Sequence, residues 1–193
     1  MSNIVFGAAA SLVLFILAAF IITVNFVFIK VKVSGSSMVP TLRSGDVVMV
    51  NVYAAPDYGD VIIISGEKAN GDWLIKRAIA FGGDAVKIEG GKVYLKKAGG
   101  TDFELLAEPY LAAGVTTPTN VQTKDTSSRI WEIDEGNIFY LGDNRGNSSD
   151  SRSDYGTCEE SQVIGVVSDF ALKVKGVNNF FDGVSVRINA LFG

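Results

Sequence analysis

Val33 to Thr41 reads Val-Ser-Gly-Ser-Ser-Met-Val-Pro-Thr, and Ser37 is the residue in it best suited to be a nucleophile. Covalent catalysis by a hydroxyl requires a backbone that holds the oxygen still, and Gly35 before it with Pro40 after it sets the local conformation. The hydroxyl also needs a base. The chain contains no histidine, so a Ser-His-Asp arrangement is excluded by inventory and a lysine is left to take the proton. Taken alone, such a stretch is more often an ordinary Ser/Gly turn.

Trp73-Leu-Ile-Lys-Arg-Ala-Ile-Ala80 supplies such a lysine, placing Lys76 inside an otherwise apolar strand pattern. Alternation puts Lys76 on one face with Leu74 and Ala78, and Ile75, Arg77 and Ile79 on the other. Burial disfavours the ammonium form, and a neutral amine can accept a hydroxyl proton. The competing reading is an edge-strand lysine whose charge reaches water.

A third constellation runs from Gly142 to Gly156, rich in Asp, Asn, Ser and Gly, directly after the strand-like Ile138–Leu141. Short polar side chains at this density bond to backbone amides and make a rigid loop. Asp143 with Arg145, and Asp150 with Arg152, are expected as charge-assisted pairs that leave Ser148 to face the lysine. The spacing lacks the Asp-x-Asp-x-Asp-Gly order of a calcium loop and its distal glutamate, so neither metal nor cofactor is expected.

The elements that must position these residues are a membrane span and a β domain. Ile4 to Ile29 carries no charge and as a helix would cross a hydrocarbon core of about 30 Å, which predicts an uncleaved transmembrane anchor over residues 1–32. Lys30 and Lys32 follow it with no Lys or Arg before it, a bias toward a cytoplasmic C-terminal domain. Beyond Lys32 short alternating stretches between turn residues predict strands at Val47–Tyr53, Asp60–Ile64, Trp73–Ala80, Ala85–Glu89, Lys92–Lys96, Asn137–Leu141 and Val163–Lys175. Gly90-Gly91 marks a hairpin. Lys97–Arg129, with Pro109 and Pro118, reads as a small inserted lobe or excursion between core segments 33–96 and 130–175. Residues 176–193 read as a packed tail, or as a segment resting on the bilayer.

The 193 residues allow one domain with a real core beside the anchor. Seventeen Lys and Arg against 21 Asp and Glu, a net charge of −4, leave no basic footprint for nucleic acid. Cys158 is the only cysteine, which excludes an internal disulfide and a cysteine zinc cluster.

Together the segments resemble the type I signal peptidases, membrane-anchored serine proteases with a Ser-Lys dyad. Ser37-Met-Val-Pro-Thr41 with Gly45-Asp46, Lys76-Arg77 with Gly83-Asp84, and Gly142-Asp-Asn-Arg145 with Asn147-Ser148, Asp150-Ser-Arg152 and Gly156 carry the resemblance, in the family's order. It implies a mainly β fold: an N-terminal transmembrane helix, then an antiparallel β-sheet catalytic domain with a small inserted lobe. It implies Ser37 as nucleophile, Lys76 as general base and Ser148 as the hydroxyl that orients the lysine. Asp143, Arg145, Asp150 and Arg152 become the loop scaffold, and Met38, Leu42, Leu74 and Ile75 the substrate-pocket walls. Where some members carry a hydroxyl oxyanion donor two residues before the nucleophile this chain has Gly35, so Ser34, Ser36 or a backbone amide must substitute. Ala80-Phe81-Gly82-Gly83 departs from the family's usual Gly-Leu-Pro-Gly. The implied partners are preproteins with signal peptides, the lipid bilayer and the secretion translocase, with the catalytic domain on the extracytoplasmic face of the plasma membrane. The rival readings are a self-cleaving repressor, which the span and the acidic charge oppose, and a non-catalytic relative that assists secreted or pilin subunit assembly.

Overall fold

The structure, a computed structural model, describes residues 2–66, 71–168 and 172. Helix α1 covers Ser2–Val27. Only Ser11, Thr23 and Asn25 interrupt the apolar run after Asn3, and Ser11 Oγ donates to the Gly7 carbonyl at 3.0 Å, so its hydroxyl is satisfied within the helix. The described large side chains of α1, from Phe6 to Phe26, stand exposed. The longest unbroken stretch of α1 with described side chains is 10–22, and among the described residues no helix is long and apolar enough to cross a membrane.

The chain leaves α1 directly into strand β1, Phe28–Lys32, which pairs antiparallel with β2, Val47–Asn51. Residues 28–32, expected as the end of the anchor, are therefore the edge strand of a sheet. Phe28 and Ile29 extend the apolar run without a break, which hides the boundary in the sequence. The remaining strands are β3 (Val61–Ile64), β4 (Leu74–Phe81), β5 (Ala85–Glu89), β6 (Lys92–Lys96), β7 (Glu104–Leu105), β8 (Arg129–Glu132), β9 (Asn137–Leu141), β10 (Cys158–Glu159) and β11 (Val163–Val167).

Seven strands form the larger sheet in the order β1-β2-β11-β3-β4-β9-β10, and four form the smaller, β7-β6-β5-β8. All the pairings are antiparallel. The smaller sheet takes β5 and β6 from the segment expected as core and joins them to β7, inside the expected excursion, and to β8 at its end. Gly90 and Gly91 close the β5–β6 hairpin with φ of 56° and 76°, positive at both central positions, which glycine adopts without steric cost. The expected final strand ends at Val167; the tail 176–193 lies outside the described residues.

β4 holds the two sheets together. Its first half pairs with β3, Ile62 opposite Lys76, and its second half pairs with β9 through a register shift between Ala78 and Ala80. The shift inserts one unpaired residue, Ile79, and breaks the two-residue alternation there. Ala78 consequently packs with Ile62, Ile64, Ile138 and Tyr140, whereas Ile79 and Ala80 both join Val86, Ile88, Val93, Phe139 and Leu141 beneath the smaller sheet. A further cluster of Met38, Leu42, Val48, Val50, Ile63 and Ile75 fills the space under the loop that carries Ser37.

Phe139 is fully buried in the cluster shared by both sheets, its ring 5.4 Å from that of Trp131. Phe139→Ala is expected to cost about 3–5 kcal/mol of unfolding free energy, because the cavity lies between two sheets and cannot collapse. Urea denaturation measures this; a loss below about 1 kcal/mol would contradict the assignment of Phe139 to a shared core.

Candidate active site

Lys76 lies on β4, opposite Ile62 of β3 and one residue before the pairing with β9 begins at Arg77, in the interior of the larger sheet. It is 4% exposed. Burial pulls its ammonium down from the usual 10.5 to about 8, while the negative charge of Asp150 pulls the other way. The charge-to-water reading is thus replaced by a desolvated amine, and that amine donates a hydrogen bond to Ser37 Oγ at 2.8 Å. When the amine is neutral the same contact lets the hydroxyl donate to nitrogen, the geometry a base requires.

Ser37 lies in the loop from Val33 to Asp46, whose neck is tied by Val33 N–H to Asp46 O at 2.8 Å and Gly45 N–H to Val33 O at 2.9 Å. Val39 N–H donates to Ser36 O, and Leu42 N–H to Met38 O, which coils the segment into successive turns. The hydrophobic weight beneath is supplied by Met38 and Leu42, 1% and 0% exposed. These two, expected as pocket walls, are buried in the cluster that supports the loop together with Ile75. Leu74 packs into a different cluster, with Ile62, Ala78 and Tyr140. Their deep burial makes Met38 and Leu42 a floor under Ser37 instead of an open surface.

The Gly142–Gly156 segment closes over this loop. Asn144 N–H donates to Ser37 O at 2.9 Å and its side-chain amide to Ser36 O at 3.1 Å. Asn147 Nδ2 donates to Ser36 Oγ at 3.2 Å. A Cβ on Gly142 would lie 2.2 Å from Ser148 Oγ and 2.5 Å from Ser37 O, so only glycine permits this approach. The same distances place the Ser148 hydroxyl beside the nucleophile's backbone. Ser148 Oγ is buried and makes no hydrogen bond among the described residues, so the bond to Lys76 implied by the resemblance is not formed here.

The scaffold pairs are partly those expected. Arg152 binds Asp150 through Nε at 2.8 Å and Nη2 at 2.7 Å, and Gly142 N–H donates to the same carboxylate at 3.0 Å. Asp143, however, does not pair with the Arg145 side chain. It accepts a fork from Arg77, Nε at 2.8 Å and Nη2 at 2.5 Å, and a hydrogen bond from Thr41 Oγ1 at 2.5 Å. Arg145 turns instead to Glu108, to Thr117 Oγ1 at 2.8 Å and to the Gly142 carbonyl at 3.1 Å. The same two-residue spacing gives a pair at Asp150–Arg152 and none at Asp143–Arg145, because Arg77 and Thr41 already occupy the Asp143 carboxylate. Arg77 binds an acid 66 residues away.

Several contributors lay outside the expected site. Asn144 and Asn147 hold the nucleophile loop, and their signal was the amide density around Ser148. Thr41 links that loop to Asp143. Glu108, Tyr110, Thr117 and the Pro118 carbonyl, which accepts from Arg152 Nη1 at 2.9 Å, come from the stretch expected to be a separate lobe. Lys124 Nζ from that same stretch also donates to Gly146 O. A concavity of about 370 Å³ lined by Asp84, Lys96, Glu132 and Glu135 lies away from Ser37 and takes no part in this geometry.

A hydroxyl bonded to a buried amine of lowered pKa, on a loop locked by side-chain amides, is the arrangement of a serine hydrolase that uses lysine as its base. Comparison with known proteins gives the family. The model described as signal peptidase, peptidase S26, matches residues 6–171. The signal peptidase I U of Bacillus subtilis is 32% identical over 157 residues, 79% of this chain and 80% of that protein. The signal peptidase IB of Staphylococcus aureus is 32% identical over 174 residues, 83% of each. A crystal structure of a signal peptidase I from Enterococcus faecalis aligns with a TM-score of 0.44 at 24% identity, over 60% of this chain and 98% of that one. The chain belongs to the signal peptidase family S26 and is a serine peptidase of the type I class.

Two outcomes follow from Lys76. A mechanism in which the neutral amine is the reactive form predicts that kcat/KM rises about tenfold per pH unit at low pH and levels off above about 8; a profile flat from pH 6 to 9 would contradict it. The unfolded chain binds more protons than the folded one between about 8 and 10.5, so Lys76 costs stability below that window and the cost fades as pH rises through it. Lys76→Met is expected to be inactive yet more stable at pH 7, on the order of 1–3 kcal/mol, the advantage shrinking toward pH 10.5. Thermal melts at pH 7 and pH 10 check the sign.

Proposed function

We propose that the chain is a membrane-anchored signal peptidase I that removes signal peptides from secreted preproteins, cutting after small-x-small sites of the Ala-x-Ala kind through a Ser37–Lys76 dyad. The observation that supports this most is the 2.8 Å bond between the Lys76 amine and the Ser37 hydroxyl. Neutral Lys76 takes the Ser37 proton as Oγ attacks the scissile carbonyl. The tetrahedral intermediate then expels the amine, which receives that proton from the Lys76 ammonium. Water, deprotonated by the Lys76 amine, attacks the acyl-enzyme; the acyl–Oγ bond breaks, Ser37 Oγ takes that proton back from Lys76, and the signal-peptide carboxylate leaves.

The oxyanion is met by the backbone N–H of Ser37 and by the Ser36 hydroxyl. Asn147 donates to Ser36 Oγ, which leaves the proton of that hydroxyl available to donate. Ser148, whose hydroxyl is buried beside Gly142 with no hydrogen bond among the described residues, would orient the lysine only by turning to it when substrate binds. Substrate binds extended, as an added strand, with the floor formed by Met38, Leu42 and Ile75 favouring small side chains above it.

The uncharged run from Ile4 to Ile29 and the exposed apolar side chains of α1 support a single-pass anchor. The domain then lies on the extracytoplasmic face of the plasma membrane beside the translocase, where the substrate is itself held by its signal peptide. Confinement to one surface raises the local concentration of one for the other.

The test is purified full-length protein with a preprotein ending its signal in Ala-x-Ala. Cleavage after the second Ala is expected. Ser37→Ala and Lys76→Arg are each expected to lose activity by about 10³-fold or more with unchanged circular dichroism, since a guanidinium stays protonated. Turnover retained in either variant would remove that residue from its role.

A further inference from the structure

The two arginines beside the catalytic loop are joined by a pair of residues from the excursion. Glu108, Pro109 and Tyr110 form a turn in which Leu111 N–H donates to Glu108 O at 3.1 Å, with proline at the position where its fixed φ suits the turn. The turn brings both side chains to one side. Tyr110 OH donates to Glu108 Oε1 at 3.0 Å, and the same oxygen accepts from Arg145 Nη2. The Tyr110 ring lies beneath Arg77, 3.7 Å from guanidinium carbon to ring centroid, and Arg145 is 6.0 Å from that centroid.

The contacts close a ring. From Gly142 and Asp143 the path runs through Arg77 to the Tyr110 face, through the Tyr110 hydroxyl to Glu108, from Glu108 to Arg145, and from Arg145 Nε back to Gly142 O. Asp143 also receives Thr41 from the nucleophile loop, and the next residue, Asn144, donates its N–H to Ser37 O. Burial, followed by the Glu108 charge, raises the Tyr110 phenol, so it remains a neutral donor. The guanidinium of Arg77 is fixed in its plane by the Asp143 fork on its edge and in depth by the aromatic face below.

We infer that Tyr110, held by Glu108, is a positioning residue for the Ser37 nucleophile, acting through Arg77 and Asp143 on the loop that binds the Ser37 carbonyl. The inference rests on the peptidase reading above, and one of its readouts is independent of substrate. Its sharp feature is that the ring, and not the hydroxyl alone, does the positioning.

The experiment uses the full chain and three variants, with kcat and KM on an Ala-x-Ala preprotein and hydrogen exchange at the Asn144 amide. In Tyr110→Leu, kcat is expected to fall about ten- to hundredfold with KM within about threefold, the size of effect produced by a nucleophile displaced by an ångström. Exchange at Asn144 should quicken about tenfold or more while amides of the β5–β6 hairpin keep their rates. Tyr110→Phe, which keeps the ring, should recover most of both losses. If Tyr110→Leu does not fold, Glu108→Gln carries the test: it removes the negative charge that holds Arg145 and the Tyr110 hydroxyl while keeping the shape, and should lower kcat and quicken Asn144 exchange.

Unchanged Asn144 exchange in the variant that folds would overturn the inference. So would a change in KM alone, or equal losses in the Leu and Phe variants. A parent protein that leaves the preprotein intact would defeat the substrate reading, and the exchange measurements would then decide the positioning role by themselves.

Discussion

An ammonium ion in the middle of a β-sheet is costly, and the site is built around that cost. Lys76 could lower it by reaching an edge, but β4 is flanked on both sides and the side chain has nowhere to go. What remains is to give up the proton readily and to hydrogen-bond what it can reach, the Ser37 hydroxyl. The environment that weakens the fold at this residue is the one that brings the amine's pKa down to about 8. Asp150 keeps the effect within bounds, since its charge partly restores the ammonium form.

The placement of Ser37 depends on a second constraint, the ion pairs behind it. Arg77–Asp143 and Arg152–Asp150 are forked pairs with almost no access to water. Pairs of this kind contribute little net stability over apolar residues of equal volume, yet removing one partner strands the other at a cost of about 3–5 kcal/mol. Their value here is geometric. Each fork fixes an orientation, and both carboxylates are bonded to the segment that holds the Ser37 loop: Asp143 through Thr41, Asp150 through the Gly142 amide. The excursion between β6 and β8 completes this support with Glu108, Tyr110, Thr117 and the Pro118 carbonyl, so it is structurally part of the site.

Much of this was legible in the residues themselves. β5, β6 and β9 have the bounds that the sequence pattern and turn residues predict: β5 and β6 alternate about a glycine hairpin, and β9 is a short buried apolar run between a Gly turn and the Gly142 loop. The inventory without histidine pointed to lysine, and the apolar company of Lys76 pointed to burial. The misses have physical causes. β1 begins with Phe28 and Ile29, which continue the apolar run of α1, so no composition change marks where one becomes the other. β7 and β10 are two residues long, below any period. The Asp143–Arg77 fork and the Tyr110 stack join segments whose local patterns carry no information about what they meet, so only the assembled fold reveals them.

The claim on which the rest stands is that Lys76 is a desolvated amine within reach of Ser37. Nuclear magnetic resonance titration of the lysine ε-carbons in the full-length protein, with the Lys76 signal assigned by its loss in Lys76→Arg, reads this directly. The account requires a midpoint near 8. A Lys76 signal titrating at the ordinary 10.5 would contradict it, because the amine would then be solvated and too rarely neutral to serve as a base.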